Sequence, residues 1–215
     1  MTSLEVLVLT AIALLVVFAA LPYVVNMLYA SMAPLEYRNA LNYILLLADS
    51  MEADFGMSGS RKYFALPSFY YGRFGVVNST YRVKLWCGGD VVLAWRSFSV
   101  WYNSTYLVDV GRLYRGMGGG LFAEPGDTLF AVNSTQPGNI RLYPRLFVVR
   151  GEGESYIYLI NATVRLGGYS YLTYEMRSVD VKKYSGCDRM AVGGVEVPLG
   201  GVVYLVVQEA VVSLR

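Results

Sequence analysis

MTSLEVLVLTAIALLVVFAALPYVV, residues 1–25, decides how the rest of the chain is read. The run is apolar, carries one acid, Glu5, and one helix breaker, Pro22, and has no Lys or Arg ahead of its apolar core. The uncharged stretch continues from Val6 to Leu35, 30 residues. A secretory signal peptide has a basic start, an apolar core of about 7–15 residues and a small-residue cleavage site. This segment is too long and has the wrong sign. A membrane-spanning helix fits the length, since about 20 apolar residues rising 1.5 Å each cross a hydrocarbon core of about 30 Å. That reading leaves Glu5 to be explained.

Glu5 has a local explanation. Thr2, Ser3, Leu4 and Glu5 spell T-x-x-E, the capping box in which the hydroxyl covers an orphan N–H and the carboxylate reaches back to the first turn. A carboxylate there also suits the positive end of the helix dipole.

The helical pattern does not stop at membrane length. Tyr37, Leu41, Ile44, Leu45, Ala48, Met51 and Phe55 recur at steps of three and four, one apolar stripe over five turns, and Gly56 follows as a left-handed stop. The spacing predicts one helix from about residue 3 to 54, roughly 75 Å long. Its first half is apolar all round and needs burial on every side, in lipid or among other helices. Its second half is amphipathic and is expected to lie on a globular domain of the same chain, with Leu46 and Leu47 on other faces, free to meet neighbours. Such a division suits a chain stored in a membrane and then assembled into a bundle of helices.

With these residues in place the segment resembles the type IV pilins. In that family the mature chain begins with a hydrophobic residue at position 1, has Glu at 5 and often Pro at 22, and continues as a helix of about fifty residues followed by a β-rich head. Met1, Glu5 and Pro22 stand at those positions here. The resemblance covers residues 1 to about 56 by motif and the head by class. It implies that Met1 is the first residue after leader cleavage, and that its α-amine pairs with Glu5 of a neighbouring subunit to set axial register. A carboxylate buried in a bundle of apolar helices is costly unless paired. Pro22 removes one backbone donor, leaving the carbonyl of Phe18 unpaired, and Pro34 does the same to Ala30. Pilus assembly machinery and a prepilin peptidase are partners implied by the resemblance.

The chain therefore divides into residues 1–56, filament core and membrane anchor before assembly, and residues 57–215, an extracellular head. YRVKLWC, DVVLAWRSFSVW, DTLFAVN, IRLYPRLFVV, ESYIYLINATVRL and SYLTYEM are rich in Val, Tyr, Phe and Trp and bounded by Gly, Pro or Asn. Short strands at close spacing predict an all-β sandwich or Ig-like domain, so the fold class is α+β, one long hydrophobic helix and a β head. GVVYLVVQEAVVSLR, residues 201–215, is apolar on both faces and is read as a central strand buried on both sides.

Four sequons mark the head as extracellular and N-glycosylated: Asn78, Asn103 and Asn133 each begin N-S-T, and Asn161 begins N-A-T. Half of the 8 Asn residues are acceptors, against roughly 0.9 expected by chance. The only cysteines, Cys87 and Cys187, stand one hundred residues apart, and outside the cell an even pair favours a disulfide. In the chain-entropy account a loop of that size stabilises by about 4 kcal/mol.

The composition limits the chemistry. With no His, the usual general base and the commonest metal ligand are missing. No phosphate loop is present, and GRLYRGMGGG and GEGES read as turns. Glu124, Asp127, Glu152 and Glu154 are acids of the kind that bind a cation, but read first as solvated loop acids. The head carries 17 basic and 11 acidic residues, a net of +6, without a patch fit for nucleic acid. No catalytic residue, metal or cofactor other than N-linked glycans is expected. The absence of His, two Gln and 19 Tyr are compatible with a heat-adapted secreted chain. Asp49, Glu52 and Asp54 crowd the end of the helix, where the dipole prefers cations, and Arg61 and Lys62 are expected to fold back over them.

The expectation is a major pilin of an archaeal type IV pilus-like filament used for adhesion, a homopolymer held in the cytoplasmic membrane before assembly. The archaeal assignment rests on pairing the sequons with the pilin-like start. The alternatives are an archaellin of the motility filament and a single-span, membrane-anchored surface glycoprotein.

Overall fold

A computed structural model describes residues 3–106, 112–118, 120–168 and 170–215. Met1 and Thr2, the expected register amine and the expected cap, lie outside the described residues. The layout is α+β, one long helix and then an all-β head.

Helix α1 spans Ser3–Ala53 and stays helical through Pro22 and Pro34. Gly56 follows it at φ 84°, the left-handed position that a residue without Cβ occupies at no steric cost. Its N–H donates to Gln208 Oε1 at 3.0 Å. The buried stripe is Ala33, Tyr37, Ala40, Ile44, Leu47, Ala48 and Met51. Burial of Ile44, Leu47 and Met51 contributes roughly 1.5–3 kcal/mol each. The sequence pattern placed Leu47 beside Leu46 on a free face. Leu46 is 58% exposed, but Leu47 is fully buried, because the stripe is centred on the Ala40–Leu47 line, and Leu41 and Leu45 are its half-buried flank.

The strands are β1 Arg61–Ala65, β2 Gly72–Cys87, β3 Asp90–Ser104, β4 Leu113–Arg115, β5 Phe122–Ala123, β6 Phe130–Asn133 and β7 Asn139–Pro144. They continue as β8 Leu146–Arg150, β9 Glu154–Leu166, β10 Tyr171–Ser185, β11 Cys187–Val192, β12 Val195–Pro198 and β13 Val202–Leu214. One sheet has the order β1-β10-β13-β9-β8-β5, the other β12-β11-β2-β3-β7-β6-β4. IRLYPRLFVV, one run in the sequence, is two strands in different sheets, since the chain crosses over at Arg145. β13 is central as expected, antiparallel to β10 and parallel to β9. Only its last stretch, Ala210–Leu214, is buried throughout; its first half alternates.

The long strands exchange the face they bury. In β2, Phe74 and Val76 enter the core that holds the helix stripe, whereas Val83 and Leu85 enter a second core with Cys187, Met190 and Val203. Trp95 faces the second core and Phe98 the first; Leu159 and Ile160, adjacent in β9, divide likewise. Strands of 13 to 16 residues accumulate enough twist to present opposite faces at their two ends, so the sheets are curled. Where they cross, the Trp95 Nε1–H donates to the Ile160 carbonyl at 2.8 Å and the Arg96 N–H to Asn161 Oδ1 at 3.0 Å.

Candidate functional site

From Ser3 to Met32 no described helix residue is buried, and the segment is apolar and long enough to cross a membrane. Leu7, Leu15, Phe18 and Met27 each stand more than half exposed. The hydroxyls in it are already satisfied: Thr10 Oγ1 donates to the carbonyls of Val6 and Leu7 at 3.0 and 2.9 Å, and Ser31 Oγ to that of Leu28 at 2.8 Å. Back-bonded hydroxyls need no water, so this surface tolerates lipid or other helices. Glu5 is exposed in the first turn and Pro22 is exposed within the helix.

Met32 is 50% exposed and Ala33 is fully buried, so full burial of the helix in the head begins at Ala33. The small side chains of Ala33, Ala40 and Ala48 allow close approach to the sheet. Glu36 then fastens the following loop: its carboxylate accepts from the N–H groups of Tyr70 and Tyr71 at 2.6 and 2.9 Å and from the Tyr102 hydroxyl at 2.7 Å. Burial pushes the Tyr102 phenol well above its usual range, and the Glu36 carboxylate adds to the shift. At the next residue, the Tyr37 and Tyr114 hydroxyls lie 3.0 Å apart.

The acidic end of the helix is neutralised from two directions. Lys62 Nζ reaches Asp54 Oδ1 at 2.9 Å, and Asp54 also accepts from Ser60 Oγ at 2.7 Å and the Tyr174 hydroxyl at 2.6 Å. Burial works to raise the Asp54 carboxyl, but these bonds and the Lys62 charge outweigh it and hold the group below the ordinary carboxylate value. Asp49 and Glu52 are paired instead with Arg115, sixty residues downstream of the helix and not foreseen from the sequence. Arg61, expected to share this role, lies over the ring of Tyr63 at 4.9 Å.

Cys87 and Cys187 form a disulfide between β2 and β11 at paired register positions. The sequons fall into two groups. Asn78 and Asn103 are exposed, and among the described residues their side-chain amides make no hydrogen bond. Asn133 and Asn161 are half-buried with Nδ2 engaged, to the Tyr143 hydroxyl at 3.2 Å and Glu209 Oε1 at 2.7 Å.

Of the acids read as solvated, Glu152 is exposed, while the other three have partners. Glu124 pairs with Arg150, and the Glu154 carboxylate accepts from the Tyr156 hydroxyl at 3.1 Å. Asp127, far from solvated, makes a two-pronged pair with the fully buried Arg145 at 2.7 and 2.5 Å. It also accepts from the N–H groups of Met117 and Thr128, both at 2.7 Å. Gly116, at φ 87°, is required here, since a Cβ would stand 2.7 Å from Arg145 Nη2. Burial opposes ionisation of Asp127, yet these donors hold its carboxyl below the usual range. Among the described residues no group of three or more acidic, Cys or His side chains could hold a metal ion.

No family model, no curated protein and no solved structure matches the chain. The resemblance to type IV pilins therefore rests on the residues and the layout described here.

Proposed function

We propose that the chain is a structural subunit of an extracellular filament of the type IV pilus kind, an archaeal adhesion pilus in which apolar helices pack in the core and β heads face outward. The observation that carries this reading is the division of one continuous helix. Between Ser3 and Met32 no residue is buried by its own chain, while Ala33–Met51 supplies the stripe buried in the head. A helix apolar on all sides over that length finds its burial outside the head, in a bilayer or among copies of itself. The rigid attachment places every copy's apolar half at a fixed angle to its head, as a regular fibre requires. Glu5 near one end of the apolar half supplies a charge that copies could use for register. The head would meet surfaces or other cells, with glycans at the exposed sequons and a disulfide to resist the outside.

The same helix also supports a second reading, a single-span surface glycoprotein whose helix stays in the membrane. Electron microscopy of native protein sheared from cells without detergent separates the two. Uniform fibres composed of this chain support the filament; recovery only with membranes, and dispersal only by detergent, overturns it in favour of the anchor.

A further inference from the structure

Where the apolar helix leaves the head, tyrosines from three separate segments converge. Tyr29 belongs to α1, Tyr70 and Tyr71 to the loop that Glu36 fastens, and Tyr106 to the segment after β3. The Tyr29 and Tyr71 rings lie 5.5 Å apart and the Tyr71 and Tyr106 rings 6.2 Å apart. Together with Thr105 they line an open cleft of about 320 Å³. Tyr70 is 83% exposed, the highest value among the large apolar and aromatic side chains described.

The distance of this cluster from the N-terminal end of the helix is fixed by helical rise. Between Glu5 and Asn26 lie 20 residues, Val6–Val25, without a charge or a side-chain amide. At 1.5 Å per residue they measure about 30 Å, the thickness of a bilayer's hydrocarbon core. Glu5 and Asn26 thus stand at its two edges. Tyr29 lies about 6 Å beyond Val25, within a headgroup layer roughly 5–8 Å deep on each side. Tyr is the side chain suited to that layer, with an apolar ring for the acyl boundary and a hydroxyl for water and headgroups.

We infer that Tyr29, Tyr70, Tyr71 and Tyr106 form a collar that seats the head on the headgroup layer of a bilayer while the helix is held in the membrane. This inference rests on the membrane-held state in the reading above and adds to it a depth and a contact surface on the head itself. Because Glu36 pins both the Tyr70 and Tyr71 amides to α1, the collar moves with the helix and sets how far it sinks.

The test uses the full chain in phosphatidylcholine vesicles brominated either near the headgroup or near the chain ends, with tryptophan emission read against the unsubstituted protein. Val16→Trp reports on the span and Tyr70→Trp on the collar; both positions are exposed, so both variants fold. The expected result is loss of the added emission at position 16 with bromine at the chain ends, and at position 70 with bromine near the headgroup. Loss at 16 with none at 70 overturns the collar while the span stands, as it would if Tyr70 met only neighbouring subunits. No loss at 16 removes the span and the collar with it.

Discussion

The Tyr174 hydroxyl donates to the Asp54 carboxylate at 2.6 Å, joining the end of the helix to β10 in the six-stranded sheet. Asp54 is buried, and its other donors are Ser60, just before β1, and Lys62, within β1. The folded state holds this carboxyl below the ordinary value near 3.8. It contributes stability that is full above that value and is lost as pH falls through the lower, folded one. Urea titrations between neutral pH and pH 2 are expected to show an acid-side loss of stability that is reduced in Asp54→Asn. The variant is expected to cost about 1–3 kcal/mol at neutral pH. Parallel acid profiles for the two proteins would rule out this role.

Glu36 is expected to govern the neck. Glu36→Gln keeps the size but removes the charge that two amides and a hydroxyl share. Hydrogen exchange should speed up at the Tyr70 and Tyr71 amides and leave the β9–β13 pairing unchanged. Since bonds to a charged group are worth about 1.5–3 kcal/mol, a roughly tenfold faster exchange or more is expected at these two amides. Unchanged exchange there would show that the loop is held by its aromatic contacts and the Thr105 N–H bond to the Tyr71 carbonyl, without the Glu36 charge.

Much of this architecture was legible in the sequence because it is local. The three-and-four spacing through Tyr37, Ile44, Ala48 and Met51 and the stop at Gly56 fix the helix whatever surrounds it, and both stand as read. Strand positions were legible, Trp95–Phe98 and Leu159-Ile160 included. Which core each side chain enters was not, because there twist hands the strand from one core to the other and neighbouring residues are buried on opposite faces. Long-range partners left no local trace: nothing near Arg115 points to Asp49, and nothing near Glu36 points to Tyr102. Buried Arg145 was hidden inside an apparently continuous strand.

Arg145 is expected to be the most sensitive polar residue of the head. Arg145→Ala leaves the Asp127 carboxylate buried without its cation and frees the carbonyls of Met117, Phe122 and Thr128. Removing one partner of a buried pair costs about 3–5 kcal/mol, which lowers Tm by roughly 10 °C in a chain of this size. Arg145→Met with Asp127→Leu should recover only part of the loss, because the Met117 and Thr128 amides then lose their acceptor. A single variant that melts with the parent would show that the pair is dispensable.

Sequon occupancy in the native chain is expected to follow exposure. Asn78 and Asn103 present their side chains to solvent, whereas the Asn161 amide is held between Glu209 and Arg96 and that of Asn133 by Tyr143. Glycopeptide mass spectrometry should find higher occupancy at the first pair. Glu209→Ala, which frees the Asn161 Nδ2, should raise occupancy at Asn161 if the glycan is added to the folded head. Equal occupancy at all four sites would mean that attachment precedes folding and that the bonds at Asn133 and Asn161 are re-formed around it or given up.

Glu5 separates the filament reading from the anchor reading within a single side chain. If copies use this carboxylate for register, Glu5→Ala lowers fibre yield sharply while the chain still fractionates with membranes, since removing a charge only favours insertion. Glu5→Gln, which keeps hydrogen bonding but not charge, should behave like Glu5→Ala when the partner is a cation, and like the parent when the residue serves mainly as an uncharged cap. As a cap alone, Glu5→Ala costs about 0.5–1 kcal/mol of end stability, too little to change the yield of an assembly held by more than twenty exposed apolar residues per copy. Fibre mass per cell and membrane-bound chain, quantified together for the three proteins, decide the matter. Normal fibres from Glu5→Ala would remove the register role and leave only the cap.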